Sequence, residues 1–485
     1  MHYHIIGIAG AGMSAIANIL LDQGHTVSGS DMQRNALAEA LAARGAAIFL
    51  GHDPAYVAAA EALVVTSAAK PDHPEIAAAR ARGIPVLKRA DLWHEWSRQR
   101  DVVAVAGTAG KTTTTALIAL VLTRAGLNPG FLVGGEVPDL GNNARWGDPA
   151  APLVIEADEY DRTFLALTPR VAVITNVEWD HVDIYPSQAD YDAAFRAFAA
   201  SVREPHDLII CGDDAGALHA AGRPEATRYG IDDLLVRDPV SCQRALLDWS
   251  AANIRTEGGD TYFGVWRYDR ATFATRHLGE WHIRLPGTHN VHNALAALAV
   301  ATALGVPTGT TAKALAAYRG ARRRFELKGE AGGVTVIDDY AHHPTKVRAT
   351  LAAARARYAG RRLVVYLQPH TYSRTRALLD DWAKAFGDAD VVRIGDIYAG
   401  RETDTFGIDS ATLAGRIEHP DARAVGDLDH AAAALLNLLR RGDVLLTLGA
   451  GDGHKVGEMI LAALQNRRPY EHDISCPDDW QMTND

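Results

Sequence analysis

The sequence predicts an α/β protein of three successive domains, each built on a mostly parallel sheet covered by helices. Short apolar strands alternate with helical patterns along the chain, which is typical of doubly wound sheets. Two of these strands run directly into glycine-rich turns that open helices, one near Gly10 and one near Gly107. We place the domains at residues 1–98, 99–320 and 321–465. The polar tail at 466–485 lacks periodicity and is expected to be disordered.

Composition restricts the class of protein. The chain has 485 residues, a net charge of −10, and 48% hydrophobic and 22% charged residues, as in an ordinary globular protein. The negative charge argues against general electrostatic binding of nucleic acid. No apolar run approaches the roughly 20 residues of a membrane span, and the first residues lack a signal peptide's basic region. We expect a cytoplasmic protein with no nucleic-acid or membrane partner, and with reduced thiols at Cys211, Cys242 and Cys476.

The stretch VVAVAGTAGKTTTT, residues 102–115, reads as a strand, a glycine turn and the first turn of a helix. Its glycines allow backbone amides to face an anion, and the helix N-terminus brings its positive dipole end there. Lys111 adds a cation for the β- and γ-phosphates, and the Thr112 hydroxyl suits a phosphate-bound Mg²⁺. Val105 stands where a full Walker A motif has its first glycine, and the plain alternative is a glycine turn before a buried helix. The stretch predicts a central domain of the P-loop ATPase type, with nucleotide held by Gly107, Thr108, Gly110, Lys111, Thr112 and Thr113.

The N-terminal segment carries a second glycine turn. A strand at residues 3–8 leads into Gly10-Ala11-Gly12-Met13-Ser14-Ala15 and an apolar helix, and a second strand ends in Ser30-Asp31. This is the G-x-G-x-x-A fingerprint of a Rossmann-like βαβ unit. It predicts a nucleotide-diphosphate site, although such glycines can also serve close helix packing alone. The site residues would be Gly10, Gly12, Met13, Ser14, Asp31 and, at a later strand end, Ser67. Residues 93–100 are expected to link this domain to the next.

Acidic residues crowd the ends of two central strands. The first of these strands is followed by Glu156-Ala157-Asp158-Glu159, and the second by Asn176, Glu178, Asp180 and His181. Crowded carboxylates are unfavourable unless a cation or a substrate amine neutralises them. Each cluster alone fits an acidic surface loop equally well. Together, and after a phosphate loop, they predict a Mg²⁺–ATP site with His181 as a metal or water ligand.

Two later regions carry weaker signals. Residues 208–277 show mixed short strands and polar turns with no arguable chemistry. His289 and Asn290 begin an apolar helix, and their spacing alone indicates helix capping.

The third domain repeats the pattern of strands with polar ends, which predicts a further Rossmann-like sheet with its ligand crevice at the carboxyl edge. One strand ends in Asp338-Asp339-Tyr340, and another in Gln368-Pro369-His370, followed by Arg374 and Arg376. Either arginine alone is consistent with a solvated surface charge. Beside a strand end, each is well placed to fork onto a carboxylate or a phosphate.

Taken together, these motifs resemble those of the Mur ligases of peptidoglycan synthesis. The resemblance covers roughly residues 3–460 and rests on GIAGAGMSAIA, GTAGKTTT, EADEYD, TNVEWDHVD, LPGTHNVHNALAA, RRRFELKGE, DDYAHHPT, QPHTYSRTR, DIYAGRE and LGAGDG. It implies an N-terminal domain for a UDP-sugar, a central ATPase domain and a C-terminal domain for an amino acid. The implied reaction joins L-alanine to the lactyl carboxylate of UDP-N-acetylmuramate through an acyl phosphate. It uses ATP with Mg²⁺ or Mn²⁺ and releases ADP and phosphate.

The resemblance also implies roles for individual residues. The catalytic set would be Lys111, His181 and Arg374, and the metal ligands would be Thr112, Glu156 and His181. The residues meeting the adenine end of ATP would be His289, Asn290 and Asn293, which overrules the capping interpretation. The third domain would reach ATP through Arg324 and Asp339. The muramoyl ligand would be held partly by Asn143 and Arg145, and alanine would face His370 and Arg374.

Several positions depart from the family pattern without removing a charge that the mechanism needs. Ala109 replaces a histidine usual in the phosphate loop, Tyr160 a serine, and His73 an asparagine. Gly453-His454 replaces an apolar continuation. No lysine lies between Lys111 and Lys313, so the carbamylated lysine of several sister ligases is absent.

Three alternatives stay open at this point. The nearest is the ligase that recycles a tripeptide onto the same UDP-sugar, which only the third domain can separate. A folylpolyglutamate-synthetase-like enzyme is disfavoured by the N-terminal fingerprint. A non-catalytic nucleotide-binding regulator is expected to have lost Lys111, Glu156 or His181, which are all present. The sequence does not decide between a monomer and a homodimer, or among alanine, serine and glycine.

Overall fold

A computed structural model describes residues 1–67, 69–232 and 247–466. It confirms the predicted α/β class, with three sheets that follow one another along the chain. The tail predicted at 466–485 lies outside the described residues, except for Asn466, which ends the last helix. No helix in these three ranges has the length and apolar character needed to cross a membrane.

The first domain has five parallel strands in the order β3-β2-β1-β4-β5. The first strand ends at Ile6, two residues earlier than predicted, and β3 was missed because its residues are only partly buried. The strands are β1 (His2–Ile6), β2 (Thr26–Asp31), β3 (Ala47–Leu50), β4 (Ala62–Val65) and β5 (Val86–Lys88). The helices are α1 (Ala11–Asp22), α2 (Ala36–Ala43), α3 (Pro74–Ala81) and α4 (Arg89–Gln99).

The central domain has ten strands in the order β15-β14-β13-β12-β11-β10-β6-β9-β7-β8. Its middle strand β6 is buried along its whole length, as expected for a parallel strand covered on both faces. The strands are β6 (Val102–Ala106), β7 (Gly130–Leu132), β8 (Ala144–Arg145), β9 (Leu153–Glu156), β10 (Val171–Ile174), β11 (Leu208–Cys211), β12 (Thr227–Ile231), β13 (Trp249–Glu257), β14 (Asp260–Asp269) and β15 (Ala274–Ile283). The helices are α5 (Lys111–Arg124), α6 (Gln188–Ala200), α7 (Ala215–Ala221), α8 (Thr288–Ala303) and α9 (Thr308–Ala317).

The expectation of short strands at residues 208–277 was wrong for its second half. Strands β13, β14 and β15 have nine, ten and ten residues and pair antiparallel as a meander. Half of β13 alternates between exposed and partly buried residues, because one face of this sheet edge meets water. The polar residues of that face conceal the strands in the sequence.

The third domain has six strands in the order β16-β17-β21-β18-β19-β20, all parallel except β16. The strands are β16 (Glu326–Ala331), β17 (Val334–Asp339), β18 (Leu363–Leu367), β19 (Val391–Gly395), β20 (Ala422–Gly426) and β21 (Val444–Leu448). The helices are α10 (Pro344–Arg357), α11 (Tyr372–Ala377), α12 (Leu379–Ala383), α13 (Ser410–Arg416), α14 (Leu428–Leu438) and α15 (His454–Asn466).

The segment 93–100, expected to be a linker, belongs to helix α4 and is packed into the core. Trp93 and Trp96 are 1% and 2% exposed and join a hydrophobic cluster that spans the first two domains. The Arg100 guanidinium donates to the carbonyl oxygens of Trp146 and Asp148, both at 2.6 Å. The first two domains therefore share one apolar core. The charged residues of α4 misled the sequence interpretation because they occupy its other face.

The third domain has apolar clusters of its own, and its described contacts with the central domain are largely polar. Thr345 donates to Glu178 Oε1 at 2.6 Å, and the Arg357 guanidinium donates to the Gly259 carbonyl oxygen at 2.7 Å. Polar interfaces within a chain resemble transient ones, so this domain is the one whose movement the fold permits. Gly320, at the predicted boundary, has a φ of +102°.

Candidate active site

The phosphate loop joins β6 to α5, as predicted. Gly107 and Gly110 have φ values of +138° and +83°, which favour glycine, and a Cβ at Gly107 would lie 2.0 Å from Thr175 Oγ1. The end of β10 braces the loop, because Asn176 accepts from the Thr108 amide at 3.0 Å and, through Oδ1, from the Ala109 amide at 2.8 Å. The helix that follows begins with Lys111 and buries Thr112 and Thr113.

Lys111 lies in a buried ion pair with Glu159, a member of the predicted acidic cluster to which the sequence interpretation gave no separate role. Its Nζ is 2.7 Å from Glu159 Oε2, and His181 Nε2 is 3.3 Å from Glu159 Oε1. Burial alone would raise the pKa of Glu159, but the Lys111 ammonium and His181 outweigh it and lower this pKa to about 2. Burial opposes the charged forms of Lys111 and His181, yet the surrounding carboxylates raise both pKa values. Positive charge is therefore held beside the phosphate loop.

Glu156 and Thr112 form a second polar pair at the same sheet edge. Thr112 Oγ1 donates to Glu156 Oε1 at 2.9 Å, and the Gly134 amide donates to Glu156 Oε2 at 2.6 Å. Burial raises the pKa of Glu156, against the effect of the Gly134 hydrogen bond and Lys111. Carboxylate and hydroxyl oxygens suit Mg²⁺, and a cation there would offset the unfavourable burial of this carboxylate, so the residues present fit the expected metal.

The three residues predicted to bind metal have different hydrogen-bond and ion-pair partners in the structure. Thr112 pairs with Glu156, whereas His181 lies with Asp158 and Glu159, whose ligand atoms approach within 4.8 Å of one another. Tyr160, which departs from the family pattern, stacks edge-on against the His181 ring at 5.1 Å. The structure thus offers two neighbouring acidic groups, one on the helix side and one on the loop after β9.

The third domain reaches the phosphate loop through Arg324. Its Nη2 donates to Thr112 Oγ1 at 3.0 Å. Asp339 holds the segment next to Arg324 in place, because its carboxylate accepts hydrogen bonds from the amides of Phe325 and Ala341, both at 2.8 Å. Burial raises the pKa of Asp339, although Arg324 opposes the shift. Arg324 thus contacts the central domain directly, and Asp339 holds the segment beside it.

Arg374 also crosses the interface, but its guanidinium already has partners. Its Nε donates to Asp180 Oδ1 at 2.8 Å and its Nη1 to the His370 carbonyl oxygen at 3.0 Å, while Nη2 lies 3.3 Å from His181 Nδ1. Burial raises the pKa of Asp180, but Arg374 and His181 hold it well below its usual range. Arg374 thus bonds a protein carboxylate through Nε alone, and it lies beside His370, with which it was predicted to face alanine. Arg376 is exposed, as a solvated surface charge would be.

Lys346 on α10 is a further cation that the sequence interpretation missed. Its Nζ lies 3.9 Å from Asp180 Oδ2, and its side chain is 16% exposed. Burial lowers the pKa of Lys346 to about 8, although Asp180 opposes the shift. Lys346 directly follows the motif DDYAHHPT, in the first turn of α10, and no pattern in the sequence marked it.

The helix expected at the adenine end begins without a side-chain cap. The N-cap residue of α8 is Gly287, so the capping interpretation of His289 and Asn290 was wrong. Instead Asn290 Nδ2 donates to the Pro286 carbonyl oxygen at 2.8 Å, and Asn293 Nδ2 donates to Asn290 Oδ1 at 3.1 Å. Asn293 Oδ1 accepts from Thr114 Oγ1 at 3.1 Å, which places this amide against the phosphate-loop helix.

The N-terminal glycine turn meets the central domain at Asn143. Asn143 Nδ2 donates to the Ala11 carbonyl oxygen at 3.1 Å and to Ser14 Oγ at 3.4 Å. Asp31 Oδ2 accepts from the Ala9 amide at 3.0 Å, so this acid lies beside the turn as the fingerprint predicts. Gly10 is the N-cap of α1, whereas Met13 is 4% exposed and packs in the core. These contacts place Ser14, Asp31 and Asn143 around the glycine turn, and a Cβ at Gly12 would lie 3.5 Å from Arg89 Nη1.

Two residues predicted to bind substrate, Ser67 and Arg145, contact other protein groups in the structure. The sequence interpretation also missed one basic side chain, that of Arg89. Ser67 Oγ donates to Asp161 Oδ2 at 2.9 Å, across the boundary to the central domain. Arg145 stacks on Phe131 at 5.1 Å and donates to the Pro129 carbonyl oxygen, inside its own domain. Arg89, at the start of α4, lies 3.7 Å from Asp158 Oδ2 in the cleft between the first two domains. No motif marked it in the sequence.

Three models of known protein families match this chain, one after another along the sequence. They are Mur ligase family, catalytic domain, over residues 2–101; Mur ligase middle domain, over 105–301; and Mur ligase, glutamate ligase domain, over 323–451. A curated relative from Roseiflexus sp. (strain RS-1), named UDP-N-acetylmuramate–L-alanine ligase, is 68% identical over 467 residues, covering 96% of this chain and 100% of the relative. The chain belongs to the Mur ligase family. Membership makes the protein an ATP-dependent ligase.

Solved structures of other Mur ligases share its fold. The UDP-N-acetylmuramate–alanine ligase of Thermotoga maritima aligns with a TM-score of 0.79 at 26% identity, covering 96% of this chain and 100% of that one. A murein peptide ligase from Psychrobacter arcticus aligns with a TM-score of 0.70 at 27% identity, covering 96% and 99%. The three-domain Mur ligase architecture is thus confirmed.

Proposed function

We propose that this protein joins L-alanine to the lactyl carboxylate of UDP-N-acetylmuramate, with conversion of ATP to ADP and phosphate. The observation that carries the proposal is the 68% identity to a UDP-N-acetylmuramate–L-alanine ligase over the whole length of that relative. The product would be a precursor of peptidoglycan. We place the reaction in the cytoplasm, where ATP is available, and expect a monomer or a homodimer.

The triphosphate of ATP is assigned to the loop between β6 and α5. The amides at the α5 N-terminus would face the anion, whereas those of Thr108 and Ala109 hold the loop on Asn176. Lys111 would supply a charge-assisted contact to the β- and γ-phosphates. Glu159 keeps this ammonium in place through their 2.7 Å ion pair. We assign the purine to Asn290, Asn293 and His289, because Asn293 already touches the loop helix through Thr114.

We assign Mg²⁺ or Mn²⁺ to the acidic edge beside the loop, on Thr112, Glu156 and His181. The cation would neutralise the transferring phosphates and the two anionic reactants. Asp158 and Glu159 lie close enough to His181 to take part. The carboxylates supply the hard oxygen ligands that these ions prefer.

The first step transfers a phosphoryl group. A lactyl carboxylate oxygen attacks the γ-phosphorus of ATP, the bond to the β-phosphate oxygen breaks, and ADP leaves with that electron pair. Since both reactants are anions, the contribution of the protein is positioning and charge stabilisation by Lys111, the helix N-terminus and Arg324. The UDP-sugar is assigned to the N-terminal glycine turn, on Gly10, Gly12, Ser14, Asp31 and Asn143, where the first two domains touch directly. Arg89 lies beside Gly12.

The second step forms the amide. The alanine nitrogen attacks the acyl carbon, a tetrahedral intermediate forms, phosphate leaves, and the nitrogen gives up a proton. We assign alanine to the third domain beside His370 and Arg374, where its carboxylate would take up N–H groups that now face His370 and His181. The polar interface of this domain allows it to close on the acyl phosphate and exclude water.

The alternative is addition of a tripeptide to the same UDP-sugar. The observation that favours this alternative is the alignment with the Psychrobacter arcticus murein peptide ligase, at 27% identity and a TM-score of 0.70. Higher identity to the alanine-adding relatives favours alanine. Purified protein should release phosphate only when ATP, UDP-N-acetylmuramate and L-alanine are all present. Phosphate release that does not depend on the amino acid would contradict the proposal.

A further inference from the structure

A buried glutamate in the first domain is surrounded by histidines. Glu75, in the first turn of α3, is 0% exposed. Its Oε2 accepts from Ser30 Oγ at 2.7 Å and lies 3.1 Å from His4 Nε2, and its Oε1 lies 3.0 Å from His52 Nδ1. These groups come from β1, β2, the loop after β3, and α3, so the carboxylate connects four segments of the domain.

His73 adds an unused nitrogen to this group. It is the N-cap of α3, and its Nδ1 accepts from the Glu75 amide at 3.3 Å. Its Nε2 is buried and has no hydrogen-bond partner among the described residues. The His52 and His73 rings meet edge to face at 4.4 Å. One ligand atom from each of His52, His73 and Glu75 lies within 4.8 Å of the other two.

The charges of this group favour a cation. Burial alone would raise the pKa of Glu75, but the hydrogen bonds with His4 and Ser30 together have the larger effect. The pKa is therefore lowered, and the carboxylate is ionised at neutral pH. The buried Nε2 of His73 has no hydrogen-bond partner among the described residues. A buried carboxylate is stabilised by a counter-charge, which a bound cation would supply.

We propose that His52, His73 and Glu75 bind a divalent transition-metal ion of the Zn²⁺ class, with the remaining position open to solvent through the partly exposed histidines. Imidazole nitrogens and a carboxylate oxygen are common zinc ligands at about 2.0–2.2 Å, and the 3.0 Å between His52 Nδ1 and Glu75 Oε1 lets both reach one ion. Ser30 and His4 hold the second carboxylate oxygen, as outer partners do at metal sites. If His73 coordinates through its unpartnered Nε2, its ring proton lies on Nδ1 and the 3.3 Å hydrogen bond from the Glu75 amide is lost.

This site differs in chemistry from the acidic edge beside the phosphate loop. Two imidazoles favour zinc, cobalt, nickel or copper ions, whereas Mg²⁺ prefers oxygen ligands. A bound ion would tie the start of α3 to the end of β2, next to Asp31. Because binding to the native state alone stabilises it, saturating metal should raise the melting temperature of the protein.

The test is a Co²⁺ titration of the metal-depleted full-length protein in excess Mg²⁺ and without nucleotide. The wild type should take up Co²⁺ with the intense visible absorption of a four-coordinate site, and added Zn²⁺ should remove that absorption. His73→Asn should lose one equivalent of Co²⁺ and this absorption, while its fold is retained because asparagine is a good N-cap residue. His219→Asn is the matched control, since its side chain is 72% exposed.

A second candidate group, Cys211, Asp213 and His292, is distinguishable in the same titration, because a thiolate ligand adds near-ultraviolet charge-transfer absorption. The proposal predicts that Zn²⁺ raises the melting temperature of the wild type and of His219→Asn but not of His73→Asn. If circular dichroism shows that His73→Asn does not fold, His52→Gln carries the same comparison. An unchanged Co²⁺ equivalence and spectrum in the folded variant, or no four-coordinate absorption in the wild type, would overturn the proposal.

Discussion

Arg324 of the third domain donates a hydrogen bond from Nη2 to Thr112 Oγ1 in the first turn of the phosphate-loop helix, at 3.0 Å. The same hydroxyl donates to Glu156, so one threonine connects an arginine of the third domain to a carboxylate of the central sheet. The third domain therefore contacts the central one at the point where we place the triphosphate and its metal ion. This arrangement couples nucleotide binding to the position of the domain that would carry the amino acid.

Replacement of this arginine should weaken ATP binding. We expect Arg324→Ala to raise KM for ATP by about 10–100-fold, since hydrogen bonds to charged groups contribute about 1.5–3 kcal/mol. Arg376→Ala is the control, because Arg376 is exposed and its one described hydrogen bond, to the Phe406 carbonyl oxygen, is 3.4 Å long. Steady-state kinetics at saturating UDP-sugar and alanine give both values. Equal KM values for the two variants would show that Arg324 does not serve ATP.

Lys111→Ala should retain the fold and lose catalysis. Removal of a cation that stabilises the transition state typically lowers kcat by about 10²–10³-fold or more. The variant also leaves Glu159 buried without its ion-pair partner, so circular dichroism must accompany the assay. Lys313→Ala on the exposed face of α9 is the matched control. Near-normal phosphate release from folded Lys111→Ala would remove the assignment of this loop to ATP.

Glu156→Gln should raise the Mg²⁺ concentration needed for half-maximal activity. The variant keeps the size of the side chain and an acceptor oxygen for the Gly134 amide, turns the Thr112 hydroxyl into an acceptor, and removes the negative charge that a hard cation prefers. A shift of at least about tenfold is expected if one charged ligand is lost. Glu418→Gln, at an exposed position in the third domain, should leave the Mg²⁺ curve in place. An unshifted curve for Glu156→Gln would place the metal elsewhere.

The sequence was sufficient for the fold class and for the phosphate loop, because each depends on local patterns. Glycines before a Lys-Thr helix, and apolar strands that end in acids, leave few alternatives. Side-chain contacts between residues far apart in the chain could not be predicted from the sequence. Nothing local shows that Arg374 takes Asp180 as its partner, or that Arg89 faces Asp158, because these contacts depend on how whole domains dock.

Helix α4 and strands β13–β15 show a second reason for failure. The two tryptophans of α4 lie on one face of a helix whose exposed residues are charged or polar, so the segment resembles a surface linker until its buried face has a partner. In β13 the exposed face interrupts the apolar pattern. Tertiary contacts decide both cases.

The pKa of His289 predicts a specific dependence of stability on pH. Burial, with a smaller effect of His292, lowers this pKa from 6.5 to about 4. The unfolded chain therefore binds a proton at a higher pH than the native state, and stability falls as the pH drops from about 6.5 to about 4. His289→Gln should lose less free energy of unfolding over that interval, by an amount on the order of 2 kcal/mol, because one pKa unit is about 1.4 kcal/mol. Parallel losses in wild type and variant, measured by denaturant unfolding at pH 7 and pH 4.5, would contradict this pKa.

The most direct test of the proposed function is a competition read by mass spectrometry. The purified protein is given ATP, Mg²⁺ and UDP-N-acetylmuramate with equal concentrations of L-alanine and the tripeptide L-Ala-γ-D-Glu-diaminopimelate. We predict UDP-N-acetylmuramoyl-L-alanine as the product, with glycine and serine as slower substrates in separate reactions, since one methyl group discriminates by only about 1–3 kcal/mol. Faster formation of the UDP-N-acetylmuramoyl tripeptide than of the alanine product would contradict the account.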